Sequence, residues 1–568
     1  MIPTSKNNAG RRHLLAAAVF FVCLAAGVAL FEGGTAPHAG AATGLLVAAS
    51  AFVSGRALLS IGVTCALTVA IAAGAWIKRE RSGFILHAWD LFDFEHWRFP
   101  VSEIAQQQPL ALAALVFAAI FGLGALFWSL RFERVNVSRP FAALACLALL
   151  GLTALFASLK GEPRQTQYTW EDHNLSSFYS SWPEALEALR RGQLFESGQA
   201  SNAETPLTRA VAAPTCAPPG RPPHILLVHQ ESVTPPMPLA ALPGRNLAFD
   251  AKLAAFFTSH DGGVRRLRVE AYGGSSWLTE FSVLTGMASR FFGGMQNFVQ
   301  VYMTGRVTDA LPSVLARCGY RNVMFYPYLK NFFGASRFFE SIGLREIFDL
   351  KAQGAPTAME KDSFYFGNAL EEIARHLEAS RQPLFVFLQT MGAHWPYDVT
   401  FWPERKVAGG GPGTDPEMHE YLRRLAMSQA DHAEFRAALA SRFPGERFLI
   451  VQYGDHQPLA TRRFFGFSDE EIEDMNRALP ENSPAFETFY SVEGVNFTPG
   501  ALPAYPLLDV AYLGAVVLTQ AGLPLPESWR ERLDLMAHCG GLYATCADRA
   551  AVLALHRRLV DMGAVRGR

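Results

Sequence analysis

The stretch Ala271–Gly286, AYGGSSWLTEFSVLTG, places two glycines and two serines directly before an apolar run whose spacing suits a helix. A hydroxyl within Gly273–Ser276 would then lie at a helix N-terminus. There, unpaired backbone N–H groups and the helix dipole favour an anionic phosphoryl group. The pattern predicts that one of these serines is a nucleophile. The alternative is that Ser275 or Ser276 only caps the helix.

Polar side chains follow three predicted strands, at the positions where α/β sheets bind their ligands. They are Glu231 after HILLV, His394 after FVFLQ, and Asp455 with His456 after FLIVQ. Two carboxylates, an imidazole and a serine oxygen make a mixed nitrogen and oxygen shell that suits zinc or manganese. Taken singly, each has a simpler interpretation: Glu231 as a solvated loop residue, the Asp-His pair as an ordinary turn, and His394 as a satisfied core histidine.

The region from residue 223 onward alternates short apolar runs with helical patterns, which is typical of an α/β domain. The predicted strands are His224–Val228, Arg266–Glu270, Asn322–Tyr326, Leu384–Leu388 and Phe448–Gln452. Helices are predicted at about 247–258, 308–318, 364–379 and 417–440. The apolar stretch Pro506–Leu525 contains Asp509 and Gln520, so we interpret it as a buried helix of this domain and not as a membrane span.

The N-terminal third predicts a membrane domain, because several apolar stretches there are near the roughly 20 residues that cross a bilayer. They lie at about 13–31, 41–55, 58–76, 109–130 and 140–159, and they predict five transmembrane helices, the second of marginal length. The first could instead be a signal peptide. Further spans follow it, which favours a retained helix.

The distribution of Lys and Arg predicts the topology. Basic residues before the first span and in the loops at Arg56 and Arg131–Arg139 would all be cytoplasmic if the N-terminus is inside. An odd number of spans then places the large C-terminal region outside, on the other side of the membrane from the cytoplasm. The loop at 77–108 argues against this, since its basic residues would lie outside; they are Lys78, Arg79, Arg81 and Arg98.

The chain divides into four predicted segments. These are a transmembrane domain at 1–160, a linker at 161–222 that could hold an interfacial helix, a catalytic domain at 223–525 and a C-terminal helical segment at 526–568. The formal net charge of -1 and the lack of a dominant basic face give no reason to expect a nucleic-acid partner.

Cysteine usage agrees with an external C-terminal domain. Outside the predicted spans the sequence has an even number of cysteines, namely Cys216, Cys318, Cys539 and Cys546. Two disulfides are therefore allowed, and Cys539–Cys546 is the simplest pair because only a short loop must close. The connectivity otherwise stays open.

The ordered set of motifs resembles the lipoteichoic acid synthase and phosphoglycerol/phosphoethanolamine transferase group of the alkaline phosphatase and sulfatase superfamily. Four motifs in the same order carry the resemblance over roughly residues 222–525: the strand leading to Glu231, then GGSSWLTEFSVLTG, GAHWPY and YGDH. The resemblance implies a multi-span helical membrane domain followed by an extracytoplasmic, sulfatase-like α/β domain.

The resemblance also implies the ligands of one divalent metal ion: Glu231, Ser276, Asp455 and His456. Zinc or manganese is the expected ion, with magnesium as an alternative. A hydroxyl of the Gly-Gly-Ser-Ser turn would be the nucleophile. Spacing back from Glu280-Phe281 selects Ser276 over Ser275, in a place where the family often has threonine.

Two further residues are implied to contact the substrate. His394 matches a histidine associated with the transferred head group or its leaving oxygen. The family's substrate-binding arginine does not align cleanly, because Ala335 falls at its place and Arg337 lies two positions on. Arg337 is therefore only a candidate.

The activity implied by the resemblance is transfer of a phospholipid head group, glycerol phosphate or ethanolamine phosphate, through a covalent phospho-serine. The donor would be a membrane phospholipid and the acceptor an extracytoplasmic glycan, lipid or polymer. A phosphodiesterase of the same fold and a non-catalytic, membrane-anchored assembly protein are the alternatives. A true sulfatase is disfavoured, because CAPPGR at Cys216–Arg221 lacks the arginine of a C/S-x-P-x-R nucleophile motif.

Overall fold

The computed structural model describes residues 36–82, 108–133, 136–159, 174–183, 220–241, 251–330, 335–406, 415–467 and 479–566, with parts of 19–32, 86–91 and a few single residues between these ranges. The chain forms two compact units, Met1–Arg191 and Gly192–Arg568. The boundary between them falls inside the predicted linker at 161–222.

Long apolar helices form the first unit. They are α1 (Ala36–Ser54), α2 (Ala57–Ser82), α3 (Pro109–Phe132) and α4 (Arg139–Leu159), followed by the short α5 (Asn174–Ser180). In the described part of the chain, α1 to α4 are the four helices long and apolar enough to cross a membrane, and they match the second to fifth predicted spans. The first predicted span, 13–31, contains a shorter apolar helix at Phe21–Leu30. The beginning of that predicted span lies outside the described residues.

Buried charges at the ends of these helices are paired. Lys78 Nζ lies 2.6 Å from Asp90 Oδ2, and both side chains are buried. Glu32 accepts hydrogen bonds from the backbone N–H groups of Leu175 and Ser176, at the start of α5. Lys78, one of the basic residues that argued against the predicted topology, is therefore neutralised within its own unit.

A single mixed sheet of eight strands organises the second unit, in the order β4-β3-β5-β1-β6-β7-β2-β8. The strands are β1 (His224–Gln230), β2 (Arg265–Arg268), β3 (Arg321–Phe325), β4 (Glu346–Phe348), β5 (Leu384–Gln389), β6 (Phe448–Gly454), β7 (Glu487–Val495) and β8 (Leu508–Asp509). The five strands from β4 to β6 in the sheet order are parallel, whereas β7 runs antiparallel to both of its neighbours. The α/β fold predicted from the sequence is confirmed.

Helices surround this sheet. They are α6 (Pro236–Ala240), α7 (Ser276–Thr285), α8 (Val299–Met303), α9 (Leu311–Arg317), α10 (Ala335–Ser341), α11 (Asp362–Ala379), α12 (Pro416–Arg442), α13 (Leu513–Gln520), α14 (Glu527–His538) and α15 (Arg549–Asp561). The predicted helix at 247–258 is instead a 3₁₀ helix at Ala251–Phe257. Pro506–Leu525 forms β8 and the almost entirely buried α13, in agreement with its interpretation as part of this domain.

The three strands β5, β1 and β6 of the parallel part are buried along their whole length, which explains their near-continuous apolar sequences. One apolar cluster joins them to α11 and α12 through residues such as Val386, Ile373 and Phe435. Disulfides link Cys216 to Cys318 and Cys539 to Cys546.

Candidate metal and nucleophile site

The carboxyl ends of β1 and β6 bring the first two predicted ligands together. These strands are parallel neighbours, and Gln230 pairs with Gly454, so the next residues, Glu231 and Asp455, leave the sheet side by side. A Cβ at Gly454 would lie 1.9 Å from the carbonyl oxygen of Val233. Only glycine allows this close approach of the two chains.

Ser276 is the first residue of α7, directly after a tight turn. Gly273 and Ser275 both have positive φ, and a Cβ at Gly273 would press on Leu459. Ser276 Oγ donates a hydrogen bond to Glu231 Oε2 at 3.0 Å and lies 3.5 Å from His456 Nε2. Ser275 occupies the N-cap position but makes no side-chain capping hydrogen bond. The half-buried Ser276 hydroxyl therefore lies at the N-terminus of α7, where the backbone N–H groups of a helix favour a phosphoryl group.

Asp455 is fully buried, and its two oxygens differ in their contacts. Oδ1 accepts backbone N–H groups from Ser232 and His456, each at 2.8 Å. Oδ2 lies 3.2 Å from His229 Nε2 and 3.3 Å from His456 Nε2. Asp455 Oδ2 and His229 Nε2 are both buried atoms that lack a well-formed hydrogen bond.

Such orphaned ligand atoms fit a metal ion. His229, Glu231 and Asp455 each offer a ligand atom, and these atoms lie within 4.8 Å of one another. Carboxylate oxygens and imidazole nitrogens at this spacing are the donors that zinc and manganese take. The donor set present in the chain is therefore compatible with a divalent ion.

The charges of the carboxylates and of His456 in the cluster depend on one another. Burial opposes a charge on His456, but Asp455 and Glu231 outweigh it and raise the pKa of His456 to about 9. Burial likewise opposes ionisation of Glu231, yet the His456 imidazolium lowers the pKa of that carboxyl well below its usual range. Two buried carboxylates are thus stable only with positive charge beside them.

The two remaining predicted residues lie on separate elements. His394 is half-buried in the loop after β5, close enough to Glu231 to contribute to the low pKa of that carboxyl. Arg337 is exposed on α10. The structure thus brings Glu231, Ser276 and the Asp455-His456 pair into direct contact, with His394 nearby. The roles of these residues stay predictions.

Sequence reasoning missed two buried groups beneath the cluster. His229 lies between Asp455 and Tyr453, whose hydroxyl is 2.8 Å from His229 Nδ1. Glu280, four residues after Ser276 on α7, accepts hydrogen bonds from Gln300 and Gln389, and burial raises the pKa of its carboxyl. The only sequence signals were the position of His229 two residues before Glu231 and the place of Glu280 within the TEF motif.

Part of the second unit is similar to a known protein family. Residues 269–477 match the family model described as Sulfatase. This stretch of the chain is thus similar in sequence to the Sulfatase family. The matched residues include the Ser276 turn, the His394 loop and the Asp455-His456 pair of this sulfatase-like domain.

Relatives of the chain are distant. An uncharacterized protein of Haemophilus influenzae is 23% identical over 282 residues, which cover 46% of this chain and 47% of that protein. The match therefore spans about half the length of that relative.

Solved structures similar to the chain include two transferases. One is the phosphoglycerol transferase GacH of Streptococcus pyogenes in complex with sn-glycerol-1-phosphate, with 16% identity, coverage of 61% of this chain and 87% of that one, and a TM-score of 0.46. The other is the integral membrane lipooligosaccharide phosphoethanolamine transferase A (EptA) of Neisseria meningitidis, with 13% identity, coverage of 92% and 99%, and a TM-score of 0.46.

Proposed function

We propose that the protein is a membrane-anchored, metal-dependent transferase that moves a phospholipid head group through a covalent phospho-serine. The observation that carries the proposal is the contact of Ser276 Oγ with Glu231 and His456 at the N-terminus of α7. A hydroxyl held there against a buried carboxylate is suited to attack on phosphorus. The four ordered motifs that resemble lipoteichoic acid synthase and related transferases support the same conclusion.

In the first step, Ser276 Oγ forms a bond to the phosphorus of the donor while the bond from phosphorus to the diacylglycerol oxygen breaks. The proton of Ser276 is lost toward Glu231, to which its hydroxyl already donates, and the diacylglycerol oxygen gains a proton from His394 or water. In the second step, a hydroxyl of the acceptor attacks the phospho-serine and releases Ser276. The transferred group is glycerol phosphate or ethanolamine phosphate.

The metal ligands proposed for this reaction are Glu231, Ser276, Asp455 and His456, with His229 beside them. A bound divalent ion, zinc or manganese with magnesium as the alternative, would supply Lewis-acid stabilisation of negative charge. The N–H groups of α7 hold the non-bridging phosphoryl oxygens. Arg337 is proposed as a further contact of the head group.

The long apolar helices of the first unit would hold the enzyme in the bilayer that contains its donor. We place the sulfatase-like domain on the extracytoplasmic side of the bacterial inner membrane, where glycan, lipid or polymer acceptors are found. Sulfate-ester hydrolysis through a modified cysteine is disfavoured further by the structure, because Cys216 of the CAPPGR sequence is joined to Cys318 in a disulfide.

The test is intact-mass spectrometry of the full-length protein after incubation with a divalent metal and either phosphatidylglycerol or phosphatidylethanolamine. Release of diacylglycerol is measured in parallel. We expect the mass of one glycerol-phosphoryl or ethanolamine-phosphoryl group on the wild type. Ser276→Ala should show no adduct and should lose activity by about 10⁴-fold or more, since it removes the nucleophile.

Ser275→Ala is the matched control, because the neighbouring hydroxyl makes no capping hydrogen bond. It should keep both the adduct and the release of diacylglycerol. Full activity of Ser276→Ala would refute the nucleophile. Release of free glycerol phosphate or phosphoethanolamine, with no acceptor product in the presence of membrane extracts, would identify a phosphodiesterase instead.

A further inference from the structure

The loop that carries His394 is wrapped around a buried arginine. This loop, His394–Phe401, follows β5, and Arg424 reaches it from α12, some 30 positions further along the chain. The Arg424 side chain is 0% exposed. A guanidinium that is completely removed from solvent must have its donors satisfied by protein groups.

Four hydrogen bonds from Arg424 account for four of its five N–H donors. Its Nε donates to Glu420 Oε1 at 2.7 Å. Its Nη1 donates to the carbonyl oxygen of His394 at 2.6 Å, and its Nη2 donates to those of Pro396 at 2.5 Å and Val399 at 2.8 Å. Three of the four acceptors are therefore backbone carbonyls of one loop.

Aromatic rings complete the surroundings of the guanidinium. Its central carbon lies 5.3 Å from the ring centre of Tyr397 and 4.7 Å from that of Phe401, both within cation–π distance. Tyr397 in turn donates to the Ala393 carbonyl at 2.8 Å. The loop therefore packs around the planar guanidinium of Arg424. A lysine ammonium cannot donate hydrogen bonds in the same directions.

The same loop touches the metal cluster. The Ser232 side chain lies beside the Tyr397 hydroxyl, and Ser232 Oγ donates a hydrogen bond to Glu231 Oε1 at 2.9 Å. The His394 imidazole also interacts electrostatically with the Glu231 carboxylate. The backbone held by Arg424 therefore includes His394, whose imidazole lies near the Glu231 carboxylate.

We propose that Arg424 is a positioning residue for the transfer reaction, which fixes the backbone of His394 and so places its imidazole beside the leaving oxygen of the donor. The inference rests on the proposed role of His394. Arg424 touches no reacting atom, and its contribution acts through the loop. Glu420 supports the same arrangement, because its carboxylate balances the buried charge of Arg424 and orients the guanidinium.

The test compares Arg424→Lys, His394→Ala and the double variant in the full-length protein reconstituted in nanodiscs. Two donors are used: a phospholipid, whose alkoxide leaving group needs a proton, and a p-nitrophenyl phosphodiester, whose leaving group does not. Arg424→Lys should lower transfer from the phospholipid about 10- to 100-fold and change the nitrophenyl reaction by less than about threefold. The double variant should be no slower than His394→Ala, because the two residues act as one unit.

Arg442→Lys is the matched control. Arg442 lies on the same helix, is exposed, and pairs with Glu371 on the surface at 2.9 Å. It should leave both reactions unchanged. Hydrogen–deuterium exchange of the peptide spanning 394–401 supplies a readout independent of activity, and it should rise in Arg424→Lys and stay at the wild-type level in Arg442→Lys.

The outcomes separate this inference from the proposed function. Three outcomes would overturn the role of Arg424 while leaving the serine mechanism intact. They are additive losses of activity in the double variant, equal losses of activity with both donors, and unchanged hydrogen–deuterium exchange of the loop. Full activity of His394→Ala would overturn it too, and full activity of Ser276→Ala would remove the proposed function itself. If Arg424→Lys does not fold, Glu420→Gln, which keeps an oxygen acceptor for Arg424 Nε, should show the same dependence on the leaving group.

Discussion

The two halves of the candidate site are positioned by different means. Glu231 and Asp455 leave neighbouring parallel strands at paired positions, so the backbone of the sheet sets their distance. His394 lies on a loop whose shape depends on a side chain, that of Arg424, from a distant helix. The half with the proposed metal ligands, called the metal half here, is therefore positioned by the sheet, whereas the His394 half depends on side-chain contacts that single substitutions can remove.

Among the substitutions that distinguish the two halves, the largest effect should come from Asp455→Asn in the metal half. The asparagine oxygen can still accept the N–H groups that Asp455 Oδ1 accepts from Ser232 and His456. Its amide nitrogen replaces the orphaned Oδ2 and cannot bind a cation. We expect metal affinity to fall at least tenfold and transfer to fall by about 10³-fold or more, as loss of Lewis-acid stabilisation implies.

Metal content after dialysis, measured by mass spectrometry, and the rate of diacylglycerol release check this expectation. Asp534→Asn, on the exposed side of α14, is the control and should change neither. Undiminished metal content together with full activity in Asp455→Asn would show that the cluster is a structural ion network.

A smaller and different effect is expected from His394→Ala. Removing the imidazole should lower transfer from a phospholipid by about 10²- to 10³-fold, in the range of general acid catalysis. Metal content should equal that of the wild type, since none of the strand-end ligands is disturbed. If His394→Ala lost its metal along with its activity, the division of the site into two halves would be wrong, because His394 would then belong to the metal half.

Much of the metal half could be predicted because its signals are local. The buried parallel strands are near-continuous apolar runs, and the polar residue that follows each run marks the edge of the sheet. Three strands were missed for physical reasons. β4 and β8 have three and two residues and are too short to show a period, and β7 mixes polar residues, a glycine and aromatics.

The His394 half could not be predicted because it depends on contacts between distant parts of the chain. Arg424 lies on a long helix in which a charged residue is ordinarily taken as facing solvent. Nothing in the sequence says that a loop will fold over it. His229 illustrates the same limit at short range: its position next to a predicted ligand was visible, but its contact with Asp455 Oδ2 depends on how β1 and β6 pair.

The smallest predicted effect concerns a carboxyl beneath the His394 loop and is a dependence of stability on pH. Asp362 Oδ1 accepts the Gly392 N–H at 2.7 Å, and a Cβ at Gly392 would lie equally close to that oxygen. Burial, and then the neighbouring Asp431, raise the pKa of Asp362 from 3.8 to about 6. Because the folded protein holds the proton more tightly than the unfolded chain, folding is not penalised below about pH 4, and stability falls as the pH rises through 6.

Asp362→Asn removes that penalty and keeps an oxygen for Gly392. At pH 7.5 the variant should be more stable than the wild type by about 1 to 3 kcal/mol, and the difference should vanish near pH 4. Thermal melting of the full-length protein across this pH range measures it, with Asp534→Asn as a flat control. A variant that is less stable at every pH would mean that the ionised carboxylate itself holds the loop, so that the His394 half would rest on two charged supports, Arg424 and Asp362.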